Sequence, residues 1–168
     1  MNGRHPAPGR LVLIEALINT VDLATGTDAL DTPQGRAPFG ITERDLDTTR
    51  ELRESLRVAC LAHAGHPPHR TVHPLSSLLA QAPLLITVDG TGEAALRPLE
   101  PTALHSRVAI AIATAAADGT WTRLKACQRT NCHRVYFDRS PAGRGRWCSM
   151  QLCGSREKMR AYRSRKQT

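Results

Sequence analysis

Four of the chain's five cysteines, Cys127, Cys132, Cys148 and Cys153, form two C-x4-C pairs separated by fifteen residues. A thiolate is both a soft metal ligand and a nucleophile, so the cluster has two chemistries open to it: a tetrahedral Zn2+ site, or reactive and redox-active thiols. A short turn between the cysteines of a pair brings two sulfurs to one side, and two such turns complete the four-coordinate shell that Zn2+ takes, at about 2.3 Å per sulfur. Cys127, Cys132, Cys148 and Cys153 are therefore the expected ligands of one structural Zn2+ per chain. His133, beside Cys132, is left as an exposed side chain or a phosphate contact. Free thiols or a redox pair remain the alternative, because C-x2-C is the commoner zinc spacing. Cys60 stands apart in an amphipathic segment and reads as a small buried hydrophobe.

The residues around the cysteines are strongly cationic. Residues 121–168 carry thirteen Lys/Arg and two Asp/Glu, a net +11, whereas residues 1–120 carry ten and thirteen, a net −3; together they make the +8 of the 168-residue chain. A weakly acidic body joined to a basic tail points to a polyanion met by the tail. After Cys153 the sequence predicts a helix over about Ser149 to Arg165, with Arg156, Arg160 and Arg163 on one face at i, i+4 and i+7, Lys158 nearby, and Met159 and Tyr162 turned toward the knuckle. Guanidinium groups make forked contacts with phosphates and guanine edges. Arg156, Lys158, Arg160 and Arg163 are thus candidate DNA contacts, extended by Arg139, Arg144 and Arg146 from the loop 138–146. Alternatives are an RNA-binding knuckle, with Trp147 or Tyr162 stacking on bases, a protein-interaction module, and a solvated face that only confers solubility.

The elements that must position these residues follow from apolar spacing and turn chemistry. Gln128-Arg129-Thr130-Asn131 reads as a turn and His133-Arg134-Val135-Tyr136-Phe137 as a strand of a short hairpin. Both Trp, both Tyr and Phe137 lie in the last 48 residues, yet aliphatics there are few, so the segment needs the metal to fold; binding contributes roughly 10–16 kcal/mol in small zinc domains. Upstream, residues 1–9 read as a disordered lead-in. Leu11, Ile14, Leu17, Ile18 and Val21 predict a helix over residues 10–22, and Thr25 to Gly40 a loop. Thr42 caps a second helix, carrying Leu46, Leu52, Leu56, Ala59 and Cys60, that Gly65 stops. His66 to Pro74 cannot be helical, and Leu75 to Ala82 form a short helix. Residues 84–88 and 94–99 around Asp89-Gly90-Thr91-Gly92 predict a hairpin, and Pro101 opens an alanine-rich helix with Leu104, Val108, Ile112 and Ala115 on one face. The expectation is an α+β, mainly α, chain: a helical domain with one β-hairpin over residues 1–120, then a treble-clef-like zinc knuckle with a basic helix over residues 121–168.

Other constellations are weaker. His63, His66, His69 and His73 lie in or beside a proline-rich segment that reads as an exposed connector, Asn19 and Thr20 read as helix C-capping or as the lining of a small-molecule pocket, and Glu15 has no evident partner. No phosphate loop, H-E-x-x-H motif, nucleophile elbow or paired-acid site is present, so no enzyme is expected. No apolar run approaches the roughly 20 residues of a membrane span, and the expected location is cytoplasmic.

The string Cys127-x4-Cys132-His133-Arg134-Val135-Tyr136-Phe137-Asp138-Arg139-Ser140, then Arg146-Trp147-Cys148-Ser149-Met150 and Cys153-Gly154-Ser155-Arg156, closely resembles the CGNR zinc-finger family. The signature asparagine is replaced by Ser155, which keeps a short hydrogen-bonding side chain able to cap a helix. Leu17 to Asp22 and the hairpin before the alanine-rich helix resemble the ABATE domain that accompanies that finger. The resemblance implies a stress-linked bacterial transcription regulator whose finger binds DNA and whose ABATE domain senses a small-molecule ligand; a homodimer is a further expectation.

Overall fold

Leu11, Ile14, Leu17 and Ile18 recur at helical spacing and are buried together in α1 (Leu11–Ile18), the first element of a computed structural model that describes residues 5–166, the side chain of Ala161 excepted. The helix stops short of the expected 10–22: Asn19 caps it, and Val21 enters a strand. The lead-in expected to be disordered is anchored within its described part at Ala7. Ala7 is buried in the core and its N–H donates to Glu15 Oε2 at 2.6 Å, which gives Glu15 its partner, while residues 1–4 lie outside the described residues.

The expected loop 25–40 holds short regular structure instead. β1 (Val21–Asp22) pairs antiparallel with β2 (Thr27–Asp28), a small hairpin additional to the single one expected. The Asp28 carboxylate accepts from Leu30 N–H at 3.0 Å, and Thr32 caps α2 (Pro33–Arg36) by accepting from Gly35 N–H at 3.1 Å. Buried Leu30 and Phe39 anchor the segment, an irregular apolar spacing that no single period reveals.

Thr42 and Asp45 form a reciprocal capping box, and α3 (Leu46–His63) follows it. Its buried stripe includes Leu52, Leu56, Cys60 and Leu61, but also the charged Arg53, Glu54 and Arg57. Gly65, at φ 73°, turns the chain out of the helix, as only a residue without Cβ does freely. The sequence then runs through α4 (Leu75–Leu79) and the hairpin of β3 (Leu84–Val88) and β4 (Ala94–Pro98), in register Leu84↔Pro98 to Val88↔Ala94. α5 (Leu104–Ala117) packs on α1 with Leu104, Val108, Ala111 and Ala115 buried and Ile112 at the margin.

The last hairpin, β5 (Leu124–Ala126) against β6 (Val135–Phe137), pairs Leu124 with Phe137 and Ala126 with Val135. Those four residues belong to the same hydrophobic cluster as Leu11, Ile14, Leu17, Leu52, Leu56 and Val108. The core thus runs across residue 120, where charge and composition change. β5 lies on α3 and β6 on α1, so the knuckle is built onto the helical body. The chain ends in one π turn (Met150–Gly154) leading into α6 (Ser155–Lys166), which starts later than the expected Ser149. Among the described residues no helix is long and apolar enough to cross a membrane.

Candidate metal centre

Cys127 directly follows β5, and Cys132 lies three residues before β6. Their turn is closed by Cys127 N–H to the Arg134 carbonyl at 2.9 Å and Cys132 N–H to the Arg129 carbonyl at 2.9 Å. Cys148 and Cys153 sit on either side of Ser149, whose hydroxyl accepts from Leu152 N–H at 3.2 Å and whose carbonyl accepts from Cys153 N–H at 3.0 Å. A backbone bond from Gln128 N–H to the Arg146 carbonyl, 3.0 Å, joins the two halves.

The four sulfurs converge to within 4.8 Å of one another, with Cys132–Cys148 at 3.7 Å, Cys148–Cys153 at 3.6 Å and Cys132–Cys153 at 3.8 Å. Four sulfurs at about 2.3 Å from a tetrahedral Zn2+ stand about 3.8 Å apart, whereas a disulfide needs about 2.05 Å. The spacing is that of a zinc cage, and all four cysteines are free. Charge points the same way. The thiols of Cys127 and Cys148 hydrogen-bond to Cys132 and pull it down, and in return Cys127 and Cys148 are pushed up. Protein groups alone let the cluster carry little negative charge; a dication at its centre lets four thiolates coexist. Cys127, Cys132, Cys148 and Cys153 would hold one zinc ion, which fixes both turns against each other. Tyr136 and Trp147 pack around them as a miniature core.

A buried ionic network supports the cage from below. Arg57, fully buried, donates from Nη2 to the Ile18 carbonyl at 2.6 Å, from Nη1 to the His133 carbonyl at 2.9 Å and from Nε to Glu54 Oε2 at 3.0 Å. Glu54 also accepts from Arg53 Nε at 2.9 Å and contacts His69 Nε2 at 3.1 Å; Arg53 continues to Asp28 Oδ2 at 2.6 Å. Burial pushes the Glu54 carboxyl up, but the guanidinium groups of Arg57 and Arg53 more than offset this and hold it below the usual range. His133 has φ 43°, the sole positive value on a non-glycine residue among the described residues. Its Nδ1–H donates to the Cys127 carbonyl at 3.1 Å, so with the Arg57 contact the strained turn beside a ligand is held from two sides. His133 is therefore structural in this fold, contrary to its expected exposure. The connector reading of the histidines fails for two of them: His63 Nδ1–H donates to the Leu124 carbonyl at 2.8 Å, and His69 belongs to the Glu54 network.

The loop 138–146 is also pre-built. Asp138, 1% exposed, accepts at Oδ1 from Ser140 N–H and Oγ–H and at Oδ2 from Gly145 N–H at 2.7 Å and Lys125 Nζ at 3.1 Å; Lys125 also reaches the Gly143 carbonyl. A Cβ at position 145 would stand 2.6 Å from Asp138 Oδ1, so the loop closes this tightly only around glycine. Burial pushes Asp138 up, yet the donors from Ser140, Lys125 and Gly145 outweigh it and hold the carboxyl at about 2.

The cationic candidates divide into two groups. Arg156, Lys158, Arg160 and Arg163 are exposed along α6, where Arg160 pairs with Glu157 at 2.8 Å. Arg139 and Arg146 are exposed but anchored, Arg139 to the Pro6 carbonyl at 2.8 Å and Arg146 to Gln128 Oε1 at 2.6 Å, while the side chain of Arg144 projects from the loop. Met159 and Tyr162, expected against the knuckle, are 52% and 50% exposed, because α6 makes its main contacts with the π turn and extends away from the body. Sequence reasoning missed Arg134, exposed on the first turn, and the whole Arg53–Glu54–Arg57 network, whose signal was charge within the apolar stripe of α3.

No curated protein matches the chain. The family model of the CGNR zinc finger does, over residues 123–166, which take in β5, both cysteine turns, the Asp138 loop and α6. With that match laid over four converging sulfurs, residues 123–166 are similar to a CGNR zinc finger, and their cluster could hold one zinc ion.

Proposed function

We propose that the protein is a DNA-binding transcription regulator whose finger grips DNA through α6. The carrying observation is the row of exposed Arg156, Arg160 and Arg163, with Lys158 exposed on the other side, on a helix rooted in the zinc-held turn. Arginine forks suit phosphates and guanine edges, and the cation excess of the segment suits a polyanion. Arg139, Arg144 and Arg146 extend the surface. Four protein ligands leave the metal no open position for substrate or water, which supports a structural ion and a protein that is not an enzyme.

The body, which resembles an ABATE domain, would modulate this grip. An open groove of about 700 Å³ between α3 and residues 68–75, lined by Val58, Ala62, Pro68, Val72 and Leu75, offers a place for a small apolar effector.

The test is binding of duplex DNA by the zinc-loaded chain over a range of salt. Arg156→Ala with Arg160→Ala leaves zinc content unchanged, weakens binding and lowers the salt slope by about 2. Unchanged affinity and slope overturn the reading. Preference for structured RNA at matched salt supports the RNA alternative, and salt-independent binding supports a protein partner.

A further inference from the structure

Beside the zinc knuckle, between the end of β6 and the segment carrying Cys148, lies a cleft of about 410 Å³. Two aromatic rings line it, Phe137 and the half-buried Trp147, with the exposed thioether of Met150. Each ring carries a guanidinium: Arg139 over Phe137 and Arg146 over Trp147, both 5.3 Å from the ring centroid. The contacts to the Pro6 carbonyl and to Gln128 each use a single N–H, and a guanidinium has five. Both groups are thus fixed in position and still rich in donors.

The cleft carries two exposed cations, Arg139 and Arg146, and one carboxylate whose charge Lys125 offsets. Its acid, Asp138, is buried with both oxygens engaged by Ser140, Gly145 and Lys125. The wall formed by the 138–145 loop is therefore in place before any ligand arrives. Aromatic lining with two anchored cations at the sides suits a flat, polarizable ring joined to an anion, the make-up of a nucleotide.

We infer that this cleft receives one unstacked base of a DNA strand, with Trp147 stacking on the base and Arg139 and Arg146 holding its flanking phosphates. The inference rests on the DNA-binding reading and adds a recognition mode to it: α6 grips the duplex, and the cleft selects sites where a base leaves the stack.

The experiment uses the full-length, zinc-loaded chain with Trp121→Phe, so that Trp147 is the one tryptophan. The probes are a perfect duplex, the same duplex with one unpaired base, and single-stranded RNA of the same sequence, at one salt concentration. Expected are quenching of Trp147 fluorescence by the duplex with the unpaired base, and tighter binding of it than of the perfect duplex, on the order of 5- to 100-fold. Trp147→Phe keeps most of that preference; Trp147→Ala, with zinc content checked, loses it. Equal affinities with no quenching overturn the inference, even if Trp147→Ala proves unable to fold, and so does a preference that survives Trp147→Ala. Tighter binding of the RNA than of either DNA overturns the assignment to DNA. Perfect-duplex binding without preference sinks this inference alone, whereas no binding of either duplex sinks the DNA reading with it.

Discussion

The carboxamide of Asn19 pairs with the backbone of Val135 as a strand would: its Oδ1 accepts from Val135 N–H at 2.8 Å and its Nδ2 donates to the Val135 carbonyl at 2.8 Å. One residue at the end of α1 thereby satisfies both polar groups of a residue that is 1% exposed on β6, 116 positions away.

Replacing Asn19 by Ala leaves that buried N–H and C=O without partners. The expected cost is about 1–3 kcal/mol, seen as a lower midpoint in denaturant with an unchanged m-value. Asn19→Asp, which loses the donor and turns a charge toward a carbonyl, is expected to cost more. A midpoint shift within error for both removes this contact as a tie between body and finger.

Arg57→Met strips Glu54 of a buried counter-charge and frees the Ile18 and His133 carbonyls, so a loss of about 3–5 kcal/mol is expected. Combining it with Glu54→Gln recovers part of that loss, because the uncompensated carboxylate is what costs most. Equilibrium unfolding of the single and double variants checks the coupling.

Chelation of zinc is expected to expose four thiols and not five. Cys127, Cys132, Cys148 and Cys153 become reactive, whereas Cys60 is fully buried on α3, where burial pushes its thiol up, and reacts only on global unfolding. Counting labelled cysteines by mass before and after chelation gives none, then four. Labelling of Cys60 at the rate of the other four contradicts its place in the core.

Acid is expected to destabilise the body below about pH 6.5. Burial holds both His63 and His105 below their usual value, with the Leu124 carbonyl opposing the shift at His63. Between that folded value and 6.5 the unfolded chain binds protons that the folded chain does not, so stability falls as pH falls. Each histidine contributes at most about 1.4 kcal/mol per pH unit, and less for partial exposure. Thermal unfolding at pH 7.5 and 5.5, with zinc content checked at each, shows the decline; His63→Asn, which keeps an N–H near Leu124, shows a smaller one.

The convergence of Cys127, Cys132, Cys148 and Cys153 was legible from spacing, because they are local pairs whose geometry a turn dictates, although spacing left reactive thiols open beside zinc. α3, α5 and the 84–98 hairpin were legible for the same local reason: Leu52, Leu56 and Cys60, or Leu104 and Val108, repeat at the helical period, and Asp89 to Gly92 announce a turn. What sequence did not reveal depends on distant partners. Nothing near Asn19 points to Val135, and nothing near Arg57 points to His133. Leu124, Val135 and Phe137 read as belonging to a separate unit because composition changes at residue 120, yet apolar packing ignores that change.

Arg156 and Arg160 stand one turn apart on α6, with Arg163 a turn further on and little of the body beneath them. Like charges so placed push against the coil that carries them, by a few tenths of a kcal/mol per pair, and Glu157 relieves only part of it. The far end of the finger is thus a spring loaded by its own electrostatics. Added salt or a polyanion relaxes it, so helicity there is expected to rise when either is present.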